Sequence, residues 1–271
     1  MRIKSDRNQP IGVFDSGLGG LTVVKELMRQ LPKENVVYFG DTARVPYGTK
    51  SKESIVRFSK ENVAILLKHK VKMVVVACNT SSSLALPLLH RSFDLPIIGV
   101  INPGARRAVA TTRNKKIGVI ATQATITSQA YTKTIKKFDP SVQVASQACP
   151  LFVPLAEEGW FEKKSTIDIA QEYLRPIKNA KVDTLILGCT HYPLLKSVLH
   201  KVMGKGVKLV DSTQTVVGEV KGLLENTGKA RISKTQPKYK FLVSDQPKHF
   251  RKLAKRFLGF NIKNVQRCDH V

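Results

Sequence analysis

Cysteine is scarce in this chain and widely spaced: Cys78, Cys149, Cys189 and Cys268 are the only four, and no two form a CxxC pair. That pattern argues against a disulfide scaffold and a structural zinc site, and fits free thiols in a reducing compartment. Long apolar runs are missing too. None approaches the roughly 18–20 residues that span a bilayer, and the polar stretch 1–10 lacks the apolar centre of a secretory signal. The expectation is a soluble, cytoplasmic protein without membrane contact. Nucleotide loops are also absent: no GxGxxG stands after a predicted strand and no Gly-Lys-Ser/Thr is present. Acidic residues are the last shortage, 20 Asp+Glu against 45 Lys+Arg, a formal charge of +25. Such a balance favours polyanions and affects association rates, but does not select a fold.

With 271 residues and 42% hydrophobic content the chain can bury a sizeable core. Short apolar runs alternate with helical patterns, which predicts an α/β architecture with mostly parallel sheets. Strands are expected at 11–14, 36–39, 73–77, 97–100, 117–120, 142–146, 184–187, 208–210 and 239–243. Helices are expected at about 21–30, 51–68, 81–90, 127–137 and 166–179. Asn102-Pro103-Gly104 and the region near Val210-Asp211 read as crossings between lobes. The stretch 248–258 has an apolar stripe at Phe250, Leu253, Ala254, Phe257 and Leu258, with Lys248, Arg251, Lys252, Lys255 and Arg256 largely outside it. It reads either as a contact for nucleic acid or an acidic surface, or as the solvated face of a docked helix. The scatter of basic residues along the chain favours the docked helix.

The two halves echo each other. Ile11-Gly12-Val13-Phe14 resembles Ile117-Gly118-Val119-Ile120, and the run from Val71 to Cys78 resembles that from Val182 to Cys189. The similar offsets suggest a duplicated α/β lobe. In each half an apolar run ends in a small residue, a cysteine and hydrogen-bonding side chains: Ala77-Cys78-Asn79-Thr80 and Gly188-Cys189-Thr190-His191. Ligands of parallel α/β sheets sit beyond the carboxyl ends of the strands. Two such lobes across a pseudo-dyad would present both thiols to one cleft.

A lone cysteine ending an apolar strand is usually a small core residue, and Cys149 and Cys268 are read that way. Cys78 and Cys189 differ in the donors directly after them. A free thiol titrates near pH 8.5, so modest local effects let it act as base or acid near neutrality. Two matched thiols suit a reaction on both faces of one carbon. Enantiomers have equal free energy, so such a catalyst must serve both directions, with a base on one face and an acid on the other. No Schiff-base lysine motif or nucleotide loop offers a cofactor route. The segment Asp15-Ser16-Gly17-Leu18-Gly19-Gly20 comes after a predicted strand and opens a helix, so its N–H groups can hold a carboxylate. Asp15 there reads as a partner to a base or to a substrate ammonium, or as a simple helix cap. The loop Asp41-Thr42-Ala43-Arg44-Val45-Pro46-Tyr47-Gly48 suits closure over a small ligand, though an ordinary turn would look similar.

These motifs, with Cys149-Pro150-Leu151-Phe152-Val153-Pro154-Leu155-Ala156-Glu157-Glu158-Gly159 and Tyr192-Pro193 after His191, closely resemble the glutamate racemases of the cofactor-independent aspartate/glutamate racemase family. The resemblance spans about residues 11–220 with no departure at a motif position. It implies interconversion of L- and D-glutamate without cofactor or metal, supplying D-glutamate for peptidoglycan. It implies Cys78 as the acid/base group for the D-enantiomer and Cys189 for the L-enantiomer, assisted by Asp15 and His191, with Glu157 in the same polar environment. Asp15, Ser16, Tyr47, Gly48, Asn79, Thr80, Thr190 and His191 would hold the ligand. The implied fold is two lobes with the site in the cleft between them, 1–100 plus 211–271 forming the first and 101–210 the second, in a homodimer. A sister racemase for aspartate or a hydantoin is the near alternative. The alternative of a different class is a binding protein for nucleic acid or DNA gyrase, the latter a partner the resemblance brings in and the charge alone supports.

Overall fold

A computed structural model describes residues 6–269; the first five residues of the polar opening lie outside the described residues. From the amino end run β1 (Ile11–Asp15), α1 (Leu21–Gln30), β2 (Val36–Gly40), α2 (Lys52–Lys68), β3 (Met73–Val76), α3 (Asn79–Leu84), α4 (Leu86–Ser92) and β4 (Ile97–Gly99). Next come α5 (Ile101–Thr111), β5 (Lys116–Ala121), α6 (Gln123–Thr127), α7 (Ala130–Phe138), β6 (Gln143–Ala148), α8 (Phe152–Glu158), α9 (Lys164–Asn179), β7 (Thr184–Gly188), α10 (Lys196–Met203) and β8 (Lys208–Val210). The chain ends with α11 (Thr213–Asn226), β9 (Tyr239–Val243), α12 (Pro247–Leu258) and β10 (Val265–Arg267). Two compact units result, one from residues 1–100 with 213–271 and one from 101–212.

Both sheets are parallel throughout. The first unit orders its strands β10-β9-β2-β1-β3-β4 and the second β6-β5-β7-β8. Four strands of the first therefore repeat the whole order of the second, with β1 equivalent to β5 and β3 to β7. Burial on both faces makes the central strands near-continuous apolar runs, as parallel sheets require. Side chains alternate between the faces. In the second unit Ile120, Leu185 and Leu187 pack with α8, α9 and α10, whereas Ile117, Val119 and Ile186 pack with α5 and α7. In the first, Phe14, Val74 and Val76 face α2 and α4. On the other face the ring of Tyr38 lies 6.0 Å from that of Phe250 on α12.

The repeat extends to a shared glycine. A Cβ at Gly12 would stand 3.0 Å from Val71 Cγ1 and 3.2 Å from Leu66 Cδ1; one at Gly118 would stand 2.8 Å from Ile177 Cγ2 and 3.3 Å from Val182 Cγ2. Val71 and Val182 hold equivalent positions, as do Leu66 and Ile177. In both units the helix leading into the cysteine-bearing strand passes so close over the first strand that only glycine fits beneath it.

Among the described residues no helix is long and apolar enough to cross a membrane. Three sequence expectations need correction. The helix expected at 81–90 begins at Asn79 and breaks at Ala85, because Pro87 lacks the N–H to continue it and opens α4 instead. Asn102-Pro103-Gly104, read as a crossing, stands directly after the boundary between the two units, in the first turn of α5, where a proline costs no hydrogen bond. The helix expected at 127–137 starts only at Ala130, as α7, because Gln129 takes the left-handed conformation (φ 55°), and the short α6 before it is not among the expected helices. The edge strand β10 has no counterpart among the expected strands, because Val265-Gln266-Arg267 offers a single apolar residue and no apolar run.

The first unit is closed by a buried ion pair. Lys72 Nζ, just before β3, donates to Glu34 Oε2 at 2.6 Å and to the carbonyls of Arg7 and Lys229 at 2.9 Å each. Glu34 Oε1 accepts the backbone N–H of Arg231 at 2.8 Å. The node therefore ties the amino-terminal segment, the α1–β2 loop and the returning carboxyl-terminal segment together. Burial lowers the Lys72 pKa, and Glu34 opposes that shift.

This packing makes two stability tests possible. Replacing Lys72 by Met strands a buried carboxylate and should cost about 3–5 kcal/mol, read as a lower urea midpoint; an unchanged midpoint would count against the node. Gly118→Ala drives a methyl into Ile177 and should cost about 1–3 kcal/mol, whereas Ala at Gly218, where a Cβ meets nothing within 4 Å, should be neutral or stabilising in the same assay.

Candidate active site

Two half-sites stand at the carboxyl ends of equivalent strands, one in each unit. In the first, the β1–β3 register sets Phe14 opposite Val76, so Asp15 and Cys78 emerge side by side. Cys78 caps α3: its sulfur accepts the Ser81 N–H at 3.5 Å and donates to Ser16 Oγ at 3.8 Å. Asp15 is fully buried and accepts the Gly17 N–H at 3.1 Å. The glycines after it have a packing reason, since a Cβ at Gly20 would stand 2.5 Å from that of Asp15. Burial, and then the Asp15 charge, push the Cys78 thiol up to about 12, against the pull of its bonds to Ser81 and Ser16. At rest this sulfur keeps its proton. Asn79 and Thr80 are buried beside it at the start of α3.

Behind them the 41–48 loop is fastened from within. Buried Asp41 accepts from Arg44 Nε at 2.6 Å, from Ser244 Oγ at 2.9 Å and from the Tyr47 hydroxyl. Asn62 Nδ2 donates to the same hydroxyl at 3.0 Å. Tyr47 thus has its hydroxyl committed inside the protein, and its ring packs on Phe58 at 5.6 Å. Gly48 is buried in the turn beside it. The sequence alone does not mark Asp41, Arg44, Asn62 and Ser244 as site residues; they come from three separate parts of the first unit, and no local spacing connects them.

The second half-site is built around an imidazole. Cys189 stands just after β7, and its sulfur lies 3.8 Å from His191 Nδ1. His191 Nε2 lies 2.9 Å from Glu157 Oε1 at the end of α8. Burial of His191 opposes its charged form, but its bonds to Cys189 and Glu157 and their charges win, raising it to about 10. The imidazolium can therefore balance a thiolate on Cys189, and Glu157 fixes the ring. Gly188 lets the strand end fit, since a Cβ there would stand 2.9 Å from Ala121 Cβ and Ile120 O and 3.1 Å from Tyr131. Thr190 is buried next to the sulfur in sequence.

The β5–β7 register sets Ala121 opposite Gly188, which brings Thr122 to this end of the sheet. Thr122 caps α6 and its hydroxyl lies 3.0 Å from that of Thr125. Neither threonine is among the residues expected from sequence. The internal repeat holds the signal, because the offset relating Gly12 to Gly118 also relates Ser16 to Thr122. Cys149 stays an inert core thiol: it is buried, and burial raises its pKa. Cys268 packs against the first unit's core beside β10. Among the described residues no group of three or more His, Cys, Asp or Glu side chains is placed to hold a metal ion.

The fold is thus a duplicated parallel α/β fold that buries one thiol beside a carboxylate and another beside an imidazole–carboxylate pair. The Asp/Glu/hydantoin racemase family matches residues 11–220, and the chain belongs to that family of isomerases. A glutamate racemase of Geobacter metallireducens is 50% identical over 255 residues, 94% of each chain. Among solved structures, a glutamate racemase isoform of Bacillus anthracis superposes with a TM-score of 0.93 at 39% identity, covering 97% of this chain and 98% of that one. The Francisella tularensis glutamate racemase, solved in complex with D-glutamate, gives 0.91 at 39% identity and the same coverage.

Substituting Glu157 by Gln removes the charge that helps hold His191 protonated. The ring should then titrate below about 10, as read by nuclear magnetic resonance of ¹⁵N-labelled histidine. Because the folded value is raised above the ordinary 6.5, the wild-type contribution to stability is full below pH 6.5 and lost as pH rises through about 10. In the variant that loss should come at lower pH. An unshifted titration would remove Glu157 from the site.

Proposed function

We propose that this enzyme interconverts L- and D-glutamate by proton transfer between two cysteines, without a cofactor. The observation that carries the reading is the contrast between equivalent sulfurs: Cys189 lies 3.8 Å from an imidazole whose pKa is raised to about 10, while burial and Asp15 keep Cys78 protonated. In the L-to-D direction the Cys189 thiolate takes the α-proton, and the C–H electron pair remains on the α-carbon. The Cys78 thiol gives its proton to the opposite face. After turnover Cys189 is the thiol and Cys78 the thiolate, which is the state needed for D-glutamate. Burial makes that second state the less stable of the two, so the enzyme resets when Cys189 releases the proton it took from substrate and Cys78 takes one up, with no net change in protons. Asp15 and Ser16, Asn79 and Thr80, and Thr190 and His191 are the groups proposed to bind the amino acid, with Tyr47 and Gly48 shaping the loop beside it.

The choice of glutamate rests on relatives named glutamate racemase at 46–50% identity. The proposed role is cytoplasmic supply of D-glutamate for peptidoglycan. Incubation with L-glutamate in D₂O should racemise the substrate and place deuterium at the α-carbon of the product; aspartate, as control, should react poorly. Cys78→Ala and Cys189→Ala should each lower kcat by about 10²–10⁴-fold, the range for general acid–base groups. The double variant should lose little more than either single one, because acid and base act as a unit. Near-normal turnover in either single variant would rule out the two-thiol route.

A further inference from the structure

The cationic outer face of α12 belongs to neither half-site. Between Pro247 and Cys268 stand seven Lys or Arg residues and no Asp or Glu. The apolar stripe of α12 (Phe250, Leu253, Ala254, Phe257, Leu258) is buried in the first unit, which leaves Lys248, Arg251, Lys252, Lys255 and Arg256 exposed. The arrangement is unfavourable to the helix itself. Lys248–Lys252, Arg251–Lys255 and Lys252–Arg256 are like-charge pairs at i,i+4, which destabilise a helix. Lys248 also sits in the first turn, at the positive end of the helix dipole, and no acidic residue offsets it there.

The surface is concave as well as charged. Lys248, Arg251 and Lys252 form one wall of a groove of about 480 Å³, and Asn261, Ile262 and Lys263 form the rest. Four cations and an amide thus converge on one trough floored by a buried isoleucine. At about 1.5 Å per residue α12 is roughly 18 Å long, a length along which duplex DNA carries about ten phosphate charges. A line of cations on that scale fits a repeating polyanion better than a single phosphate. A membrane surface is disfavoured, because the apolar face of α12 is already spent on the core and cannot insert.

We infer that the groove between α12 and residues 261–263 is a docking surface for the phosphate backbone of nucleic acid, read without base sequence. Binding there releases counterions and relieves the repulsion along the helix. None of the groove residues belongs to either half-site, so the surface stands apart from racemisation.

Fluorescence anisotropy with a labelled duplex of about 20 base pairs tests it, titrated from about 50 to 200 mM salt. About five phosphate contacts should give a slope of log K against log salt near −5. Lys248→Glu with Lys252→Glu should weaken binding at least tenfold and make the slope shallower by about two, with glutamate turnover unchanged. Arg251→Ala, a milder change, should weaken binding and reduce the slope by about one. Lys201→Glu with Lys205→Glu, which alters net charge equally on the second unit, should leave the slope unchanged. No binding near 150 mM salt, equal weakening by the Lys201/Lys205 pair, or tighter binding to phosphatidylserine vesicles than to DNA would overturn the inference.

Discussion

The chemistry of this protein depends on one constraint: a parallel strand buried on both faces exposes its chain only at its ends. A residue just beyond the carboxyl end of β3 or β7 is therefore held by the sheet and shielded from bulk water, yet stands where a ligand can be met. Cysteine suits that position because it is small enough for the core and still titrates. The neighbouring strand adds the second group without further machinery. Since β1 lies beside β3 in register, Asp15 arrives beside Cys78; since β5 lies beside β7, Thr122 arrives near Cys189. Gly12 and Gly118 serve the same constraint from the other side, by letting the preceding helix press the strands close.

Identical scaffolding then yields unlike sulfurs. Raising the Cys78 thiol from 9.0 to about 12 corresponds to about 4 kcal/mol against its thiolate, the cost that remains after the bonds to Ser16 and Ser81 have offset part of the burial and the Asp15 charge. The second unit uses the same burial differently. It places an imidazole against the sulfur and a carboxylate behind the imidazole, so a proton leaving Cys189 meets a charge already balanced. A racemase needs both directions to proceed, yet an acid and a base must coexist at the start of each turnover. In the proposed two-thiol route the unlike surroundings assign the starting roles, Cys78 beside Asp15 as the acid and Cys189 beside His191 as the base.

Much of this is legible in the amino-acid sequence. The strands are readable because double-sided burial writes them as short runs of Val, Ile and Leu, and the repeat is readable because Gly12 and Gly118 stand at the same place in their strands. Cys78 and Cys189 stand out by the amide, hydroxyl and imidazole groups next to them in the chain. Other features are not legible, for physical reasons. The break at Ala85 depends on Pro87 winning against a helical pattern that continues on both sides. Asp41 draws its partners from Arg44, Tyr47 and Ser244, the last about 200 residues away, and only folding makes them neighbours. The imidazole–carboxylate pair joins Glu157 at the end of one helix to His191 after a strand; the family resemblance supplies both residues, but not their contact.

The carboxyl-terminal segment shows how one stretch of sequence meets two demands. Returning to the first unit, it must pass its backbone over the Glu34–Lys72 pair, extend the sheet with β9 and β10 and cover Tyr38 with Phe250. Those tasks use the carbonyl of Lys229, the N–H of Arg231, and apolar side chains on one face of α12. None of them constrains the outer face, whose composition is free to answer to something else. A face chosen only for solubility would be expected to mix signs, since interspersed opposite charges stabilise an exposed helix and like charges weaken it. This helix carries one sign only, so its stability rests on the buried stripe while its outer surface is left unfavourable in isolation. That division is the physical reason to treat the cationic face as a binding surface rather than as the solvated back of a structural helix.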